Sequence, residues 1–271
     1  MLWLDLTPGD DDDDDDDDDD CPTLVTQGRF EGVKLFRRQG GEWTEVASFH
    51  VPHTGFCRGY LERTEEGGGG DTVAVVPSGQ STVMVARLVA SFIRPVVSLQ
   101  REAAGSLMCL APGPASARGR LLAGYEAGHL VLWDWSNNTP LVEVTSLAPL
   151  TGTLLALAWD WTKGRGVVAG SEAKVVVLDS EGFAVTKSRD ITNPGVGSAA
   201  VRHDGKVVVC GGWDGRLRLF SWLRPDKLKP LAVLRFHSES VEALLCARNI
   251  GGRDLILAGG RDGRISIWDI Y

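Results

Sequence analysis

The chain has 271 residues and a formal net charge of −8, from 36 acidic and 28 basic residues. Eleven of the acids form one unbroken run, Asp10 to Asp20, and without it 25 acids stand beside 28 bases. That near-neutral remainder excludes a surface built for nucleic acid or for strongly acidic or basic substrates. Apolar residues make up 43% of the chain. A chain of this length can bury roughly 75% of the surface its unfolded form exposes, enough for a sizeable core. The five cysteines (Cys21, Cys57, Cys109, Cys210 and Cys246) are spread apart, with no C-x-x-C pair. They read as small core residues in a reducing compartment, not as zinc ligands. No run of 18 apolar residues suggests a membrane helix, and the first residues lack the pattern of a signal peptide. The expected location is cytoplasmic and/or nuclear.

In chain order, Leu2 to Leu6 reads as a first strand. The aspartate run follows in a loop; like charges repel and bury no apolar area, so residues 10–20 are expected to be disordered. Long surface loops cost little, which makes the run a tolerated insertion. An apolar segment then recurs along the chain. It appears as LVTQGRFEGVKLFR (24–37), VAVVPSGQSTVMVAR (73–87), LLAGYEAGHLVLWD (121–134), GVVAGSEAKVVVLD (166–179), VVVCGGWDGRLRLFS (207–221) and LILAGGRDGRISIWD (255–269). Each copy runs apolar, turns, and runs apolar again. In the last two, Leu217, Leu219, Ile265 and Ile267 alternate with Arg218 and Ser266, the period of a half-buried strand. Asp214-Gly215 and Asp262-Gly263 supply the turn chemistry of a hairpin. Leu154 to Trp159 and Val241 to Cys246 precede their hairpins as strands, and Leu231 to Arg235 follows one, giving four strands per unit. Aligned on one position near the end of the third strand, the anchors are Phe36, Ala86, Trp133, Leu178, Phe220 and Trp268, spaced by 50, 47, 45, 42 and 48 residues.

A four-stranded unit of this period, closed by Trp-Asp at Trp133-Asp134 and Trp268-Asp269, resembles the WD40 repeat of β-propellers. The resemblance implies an all-β fold, one propeller domain over residues 1–271 with six visible blades, the last lacking its outer strand. It also suggests an N-terminal truncation from seven blades. WD40 units are tied by a His, a Ser or Thr, an Asp and the Trp. His237, Asp262 and Trp268 fill three of these places, while Ala258 falls at the Ser/Thr position, so the set reads as incomplete. Packing is expected to replace it elsewhere. Asp134, Asp214 and Phe220 mark the corresponding positions of other units.

A narrower resemblance rests on GFCR (55–58), LLAGYE and LVLWD (121–134), TNPG (192–195), GWD with RLR (212–218), PLAVL with FHS (230–238) and RISIW (264–268). These stretches are similar to the guanine nucleotide-binding protein subunit beta-like protein 1 family, itself distantly similar to ASTRA-associated protein 1 of fungi. The resemblance implies a non-enzymatic scaffold linked to the co-chaperone assembly that matures phosphatidylinositol 3-kinase-related kinases, and so to DNA-damage signalling. Heterotrimeric G-protein β function is not implied.

No catalytic, cofactor-binding or metal-binding residue is nominated. Gly67 to Gly70 lacks the Gly-Lys-Ser/Thr of a phosphate loop. His50 and His53 flank a proline without metal-ligand spacing. One surface carries more promise. Trp213 sits in the turn between second and third strands, and its equivalents are Arg29, Glu126, Glu172 and Arg261. Trp and Arg are the types enriched in interface hot spots, so these five make a candidate protein-binding rim; the alternative is that Trp213 packs on a neighbouring blade. Partners are expected to be proteins, with no direct nucleic acid, membrane or small-molecule substrate. A substrate receptor or chromatin-complex subunit is the second reading. A propeller enzyme, marked by convergent polar groups in the central channel, is the third.

Overall fold

A computed structural model describes residues 2–5, 23–53, 55–64, 71–89, 92–114, 119–251 and 253–270. The aspartate run and Gly67 to Gly70 lie outside the described residues. Six antiparallel sheets follow one another in the chain. The first holds β1 (Leu2–Asp5), β2 (Thr23–Gly28), β3 (Gly32–Gln39) and β4 (Glu42–Phe49). The second holds β5 (Tyr60–Thr64), β6 (Asp71–Ser78), β7 (Thr82–Val89) and β8 (Phe92–Gln100). β9 (Leu107–Pro112), β10 (Arg120–Tyr125), β11 (Leu130–Asp134) and β12 (Thr139–Val144) form the third. The fourth is β13 (Leu154–Asp160), β14 (Arg165–Gly170), β15 (Lys174–Asp179) and β16 (Val185–Asp190). β17 (Val196–Val201), β18 (Val207–Gly212), β19 (Arg216–Arg224) and β20 (Lys227–Arg235) form the fifth. The sixth has three strands among the described residues: β21 (Val241–Ile250), β22 (Arg253–Gly260) and β23 (Ile265–Asp269). In every sheet the strands pair in simple sequence order, so each sheet is a meander. Two compact units divide the chain: residues 1–102 with the first two sheets and residues 103–271 with the other four.

The anchor spacing has a structural correlate. In each of the five sheets with a fourth strand, the pairing of third and fourth strands shifts register just before the anchor: at Leu35/Phe36, Val85/Ala86, Leu132/Trp133, Val177/Leu178 and Leu219/Phe220. A bulge there bends the third strand and increases its twist.

Within the second unit, packing repeats from sheet to sheet. The residues three and one before the anchor face the following sheet. Leu130 and Leu132 enter the core between third and fourth sheets, and Val175 and Val177 that between fourth and fifth. Leu217 and Leu219 enter the core between fifth and sixth. The anchor itself faces the preceding sheet: Leu178 and Phe220 are buried there, and Trp268 is partly buried. Burial also pushes the thiols of Cys109 and Cys210 up to about 12, which keeps them protonated and inert.

The sixth sheet departs from the alternation expected of it. Ile265 and Ile267 occupy the positions of Leu217 and Leu219, yet they are 73% and 63% exposed, while Ser266 between them is buried. Arg218, the counterpart of Ser266, is buried as well. The polar residues of these two strands point inward because each has a partner there.

The turns also differ in detail from tight two-residue hairpins. Gly215 and Gly263 take φ of 73° and 74°, whereas Asp214 and Asp262 stay out of the left-handed region. The aspartates instead accept hydrogen bonds from the backbone N–H groups of Arg216 and Arg264.

Candidate protein-binding rim and the ties that hold it

The loop entering the sixth sheet brings His237 against the turn between β22 and β23. His237 Nδ1 lies 3.1 Å from Asp262 Oδ1, and Nε2 lies 3.0 Å from Ser266 Oγ. Trp268 Nε1 donates to the same hydroxyl at 2.8 Å. A neutral ring that donates from Nδ1 and accepts at Nε2 satisfies every group: Trp268 N–H to Ser266 oxygen, Ser266 O–H to His237, His237 N–H to Asp262. Asp262 accepts in addition from the N–H groups of Ser238 and Arg264.

The set is therefore complete, which corrects the expectation built on Ala258. Ala258 and Ser266 are direct cross-strand partners. Side chains of such a pair share one face of the sheet, so the hydroxyl missing from β22 is supplied by β23. Burial pushes the Asp262 carboxyl up, but the Ser238 N–H, His237 and the Arg264 N–H outweigh it and leave the pKa at about 2. An unfolded aspartate titrates near ~4. Because the folded value is the lower one, the network's contribution is present above pH ~4 and is lost as pH falls toward 2. Asp262→Asn is expected to reduce the melting temperature at neutral pH and to flatten its decline between pH 4 and 2. Thermal denaturation followed across that range checks this; parallel curves for both proteins would refute it.

Polar ties also serve the sheets where packing was expected to suffice. In the fifth, Arg218 grips Asp214 with both nitrogens, at 2.9 and 2.7 Å. This fork is the strong bidentate geometry, and it places Arg218 where the sixth sheet has Ser266. In the third and fourth sheets a glutamate does the work. Glu126 accepts from the Ser106 hydroxyl at 2.7 Å and its N–H at 3.2 Å. Glu172 accepts from the Thr151 hydroxyl at 2.7 Å and its N–H at 3.0 Å. The Ser106 hydroxyl and N–H hold the Glu126 carboxyl below its ordinary range. Burial raises that of Glu172, and the Thr151 and Gly152 donors with Lys174 bring it below the ordinary value. Trp133 finds its own partner: its indole N–H donates to the buried Tyr125 hydroxyl at 3.3 Å. Asp134 caps the turn that follows it, accepting from Ser136 and Asn137.

Of the five rim positions, Glu126, Glu172, Trp213 and Arg261 occupy equivalent turns in successive sheets of the second unit. Arg29 belongs to the first unit, where Nε donates to Gly55 O and the guanidinium lies 4.3 Å from the Phe56 ring centroid. The two glutamates are engaged in holding loops. Trp213 is different, being 49% exposed. Its ring lies on Gly195 in the loop entering its own sheet, so closely that a Cβ at Gly195 would stand 2.2 Å from it. The indole therefore rests on backbone of the fifth sheet and presents its other face to solvent. Arg261 is anchored through its N–H to Ser240 O, while its side chain is 76% exposed and meets Glu239 only at 3.8 Å. Sequence reasoning missed Phe236. It is 47% exposed and stands edge-on to His237 and Trp268, with centroids 5.2 and 6.5 Å away. Its place directly before His237 was the available signal.

The WD domain, G-beta repeat family pattern matches residues 187–221 and 228–269. In solved structures the fold is similar to Sqt1 of Saccharomyces cerevisiae, with a TM-score of 0.66 at 12% identity, over 92% of this chain and 68% of that one. Together with the repeated four-stranded meander and its tied turns, these likenesses define a WD40 β-propeller protein. Among curated proteins, the guanine nucleotide-binding protein subunit beta-like protein 1 of Mus musculus is 33% identical over 262 residues, covering 92% of this chain and 74% of that protein. The ASTRA-associated protein 1 of Schizosaccharomyces japonicus is 28% identical, over 64% of this chain and 49% of its own length. The chain belongs to the guanine nucleotide-binding protein subunit beta-like protein 1 family.

Proposed function

We propose that this protein is a non-enzymatic scaffold of the cytoplasm and/or nucleus, working with the co-chaperone assembly that matures phosphatidylinositol 3-kinase-related kinases. It presents tied, inflexible turns to protein partners and contributes no chemistry of its own. The observation that carries this reading is Trp213, a half-exposed aromatic fixed by backbone on one side, at a turn next to the exposed Arg261. Rigid aromatic and arginine side chains are the anchors through which interfaces gain most of their affinity. The second reading is a substrate receptor or chromatin-complex subunit, which the likeness to ASTRA-associated protein 1 supports as far as membership of a multiprotein assembly.

Affinity purification from cells, followed by mass spectrometry, separates the two by the company the protein keeps. Trp213→Ala is expected to lose at least about tenfold in partner recovery, equivalent to ~1.4 kcal/mol, with little change in melting temperature. Partner recovery equal to that of the unaltered protein would remove Trp213 from the interface. Equal loss of recovery and of stability would assign it a packing role.

A further inference from the structure

The arginines around Trp213 outnumber the carboxylates available to neutralise them. Arg216 and Arg235 are direct cross-strand partners on β19 and β20, an arrangement in which like charges repel. Arg235 and the exposed Arg264 make no side-chain hydrogen bond or ion pair among the described residues. Among the described residues, the Arg261 side chain has only its long contact with Glu239. The nearby aspartates are already engaged. Asp214 is held by both nitrogens of Arg218, and its approach to Arg216 is 3.6 Å. Asp262 is occupied by His237 and two backbone N–H groups. Arg216 shares Asp214 and donates to Asn193 Oδ1 at 3.3 Å, and Glu239 meets Arg261, which leaves Arg235 and Arg264 without a carboxylate among the described residues.

These groups surround one loop. A Cβ on Gly215 would stand 2.3 Å from His237 O and 3.0 Å from Glu239 O, so the turn of the fifth sheet lies directly on the loop that follows Phe236. Arg261 N donates to Ser240 O at the loop's far end. Trp213 and Phe236, both half exposed, lie among the charges.

We infer that this face binds an acidic protein segment carrying one aromatic or large apolar side chain. The carboxylates would meet Arg216, Arg235, Arg261 and Arg264, relieving the repulsion of the first two, and the apolar side chain would lie on Trp213 or Phe236. Guanidinium groups suit carboxylates because they can bind them with two parallel hydrogen bonds. With the aspartate run set aside, 25 acids and 28 bases provide no broad basic field for a nucleic acid, so the arginines act as a local cluster suited to a short acidic segment. The inference rests on the rim reading above and adds the sign and chemistry of the partner.

The test uses the full chain and a short fluorescein-labelled peptide rich in Glu and Asp with one central Phe, followed by anisotropy. A matched peptide with Lys in place of the acids is the control. The acidic peptide is expected to bind, more weakly as salt rises, and the lysine peptide not to bind. Replacing the peptide's Phe with Ser should weaken it, and R261E/R264E should weaken it at least about tenfold. Both arginines are exposed, so melting temperature should hold; if the charge reversal disturbs it, R261Q/R264Q should still give a smaller loss of the same direction. Equal binding of the lysine peptide, indifference to both arginine variants, or stronger competition by a single-stranded DNA oligonucleotide would overturn the inference. If Trp213→Ala loses cellular partners while R261E/R264E keeps them, the rim reading stands and the acidic partner falls.

Discussion

Asp214→Ala is expected to lower stability by about 3 kcal/mol, the loss typical of breaking a buried ion pair on one side. The Arg218 side chain is 5% exposed and the Asp214 side chain 17%, so solvent cannot replace the missing carboxylate. The cost arises mainly from the guanidinium left behind, not from the attraction removed. Asp214→Ala combined with Arg218→Leu should therefore recover more than half of the loss, because it leaves no buried charge. Chemical denaturation of the single and double variants measures both quantities. A double variant no more stable than Asp214→Ala would mean that the fork itself holds the turn.

Leu219→Ala and Ile267→Ala should behave as opposites although they change equivalent positions. Leu219 is 1% exposed in the core between fifth and sixth sheets. Its truncation is expected to cost about 3 kcal/mol, from lost burial and the cavity left behind. Ile267 is 63% exposed, and its truncation should stay within about 0.5 kcal/mol. Unfolding midpoints of the two variants decide the matter; a comparable loss at Ile267 would mean that its face is covered in solution.

These two pairs also mark where sequence reasoning succeeds and where it stops. The hairpins, their order and the anchors from Phe36 to Trp268 follow from apolar alternation and Asp-Gly turns, which are local properties. Alternation identifies two faces of a strand but not which of them is buried, so Ile265 and Ile267 read like Leu217 and Leu219 although only the leucines are buried. Hydrogen-bond partners are likewise set by proximity in space. Reading down β22 finds Ala258 and an incomplete network; only the cross-strand pairing reveals Ser266. Glu126 and Glu172 looked like free rim charges because Ser106 and Thr151 lie 20 and 21 residues away. Trp213 was legible as an unusual turn residue, while its bed on Gly195 required the fold.

The apolar junctions between sheets bear on how the second unit comes apart. In a linear array, each module is held by its own internal stability and by its junctions with adjacent modules. Within the second unit, the fourth and fifth sheets each have a junction on either side, and the fifth meets the sixth through Leu217 and Leu219 against Ile256, Ala258 and Trp268. Opening of the junction between the fifth and sixth sheets exposes these apolar side chains together, so β21 to β23 part from β19 as one cooperative segment. The His237, Asp262, Ser266 and Trp268 network sits in that module. There it opposes local unfolding, and the arginine-lined loop between the fifth and sixth sheets keeps its shape only while the module is closed.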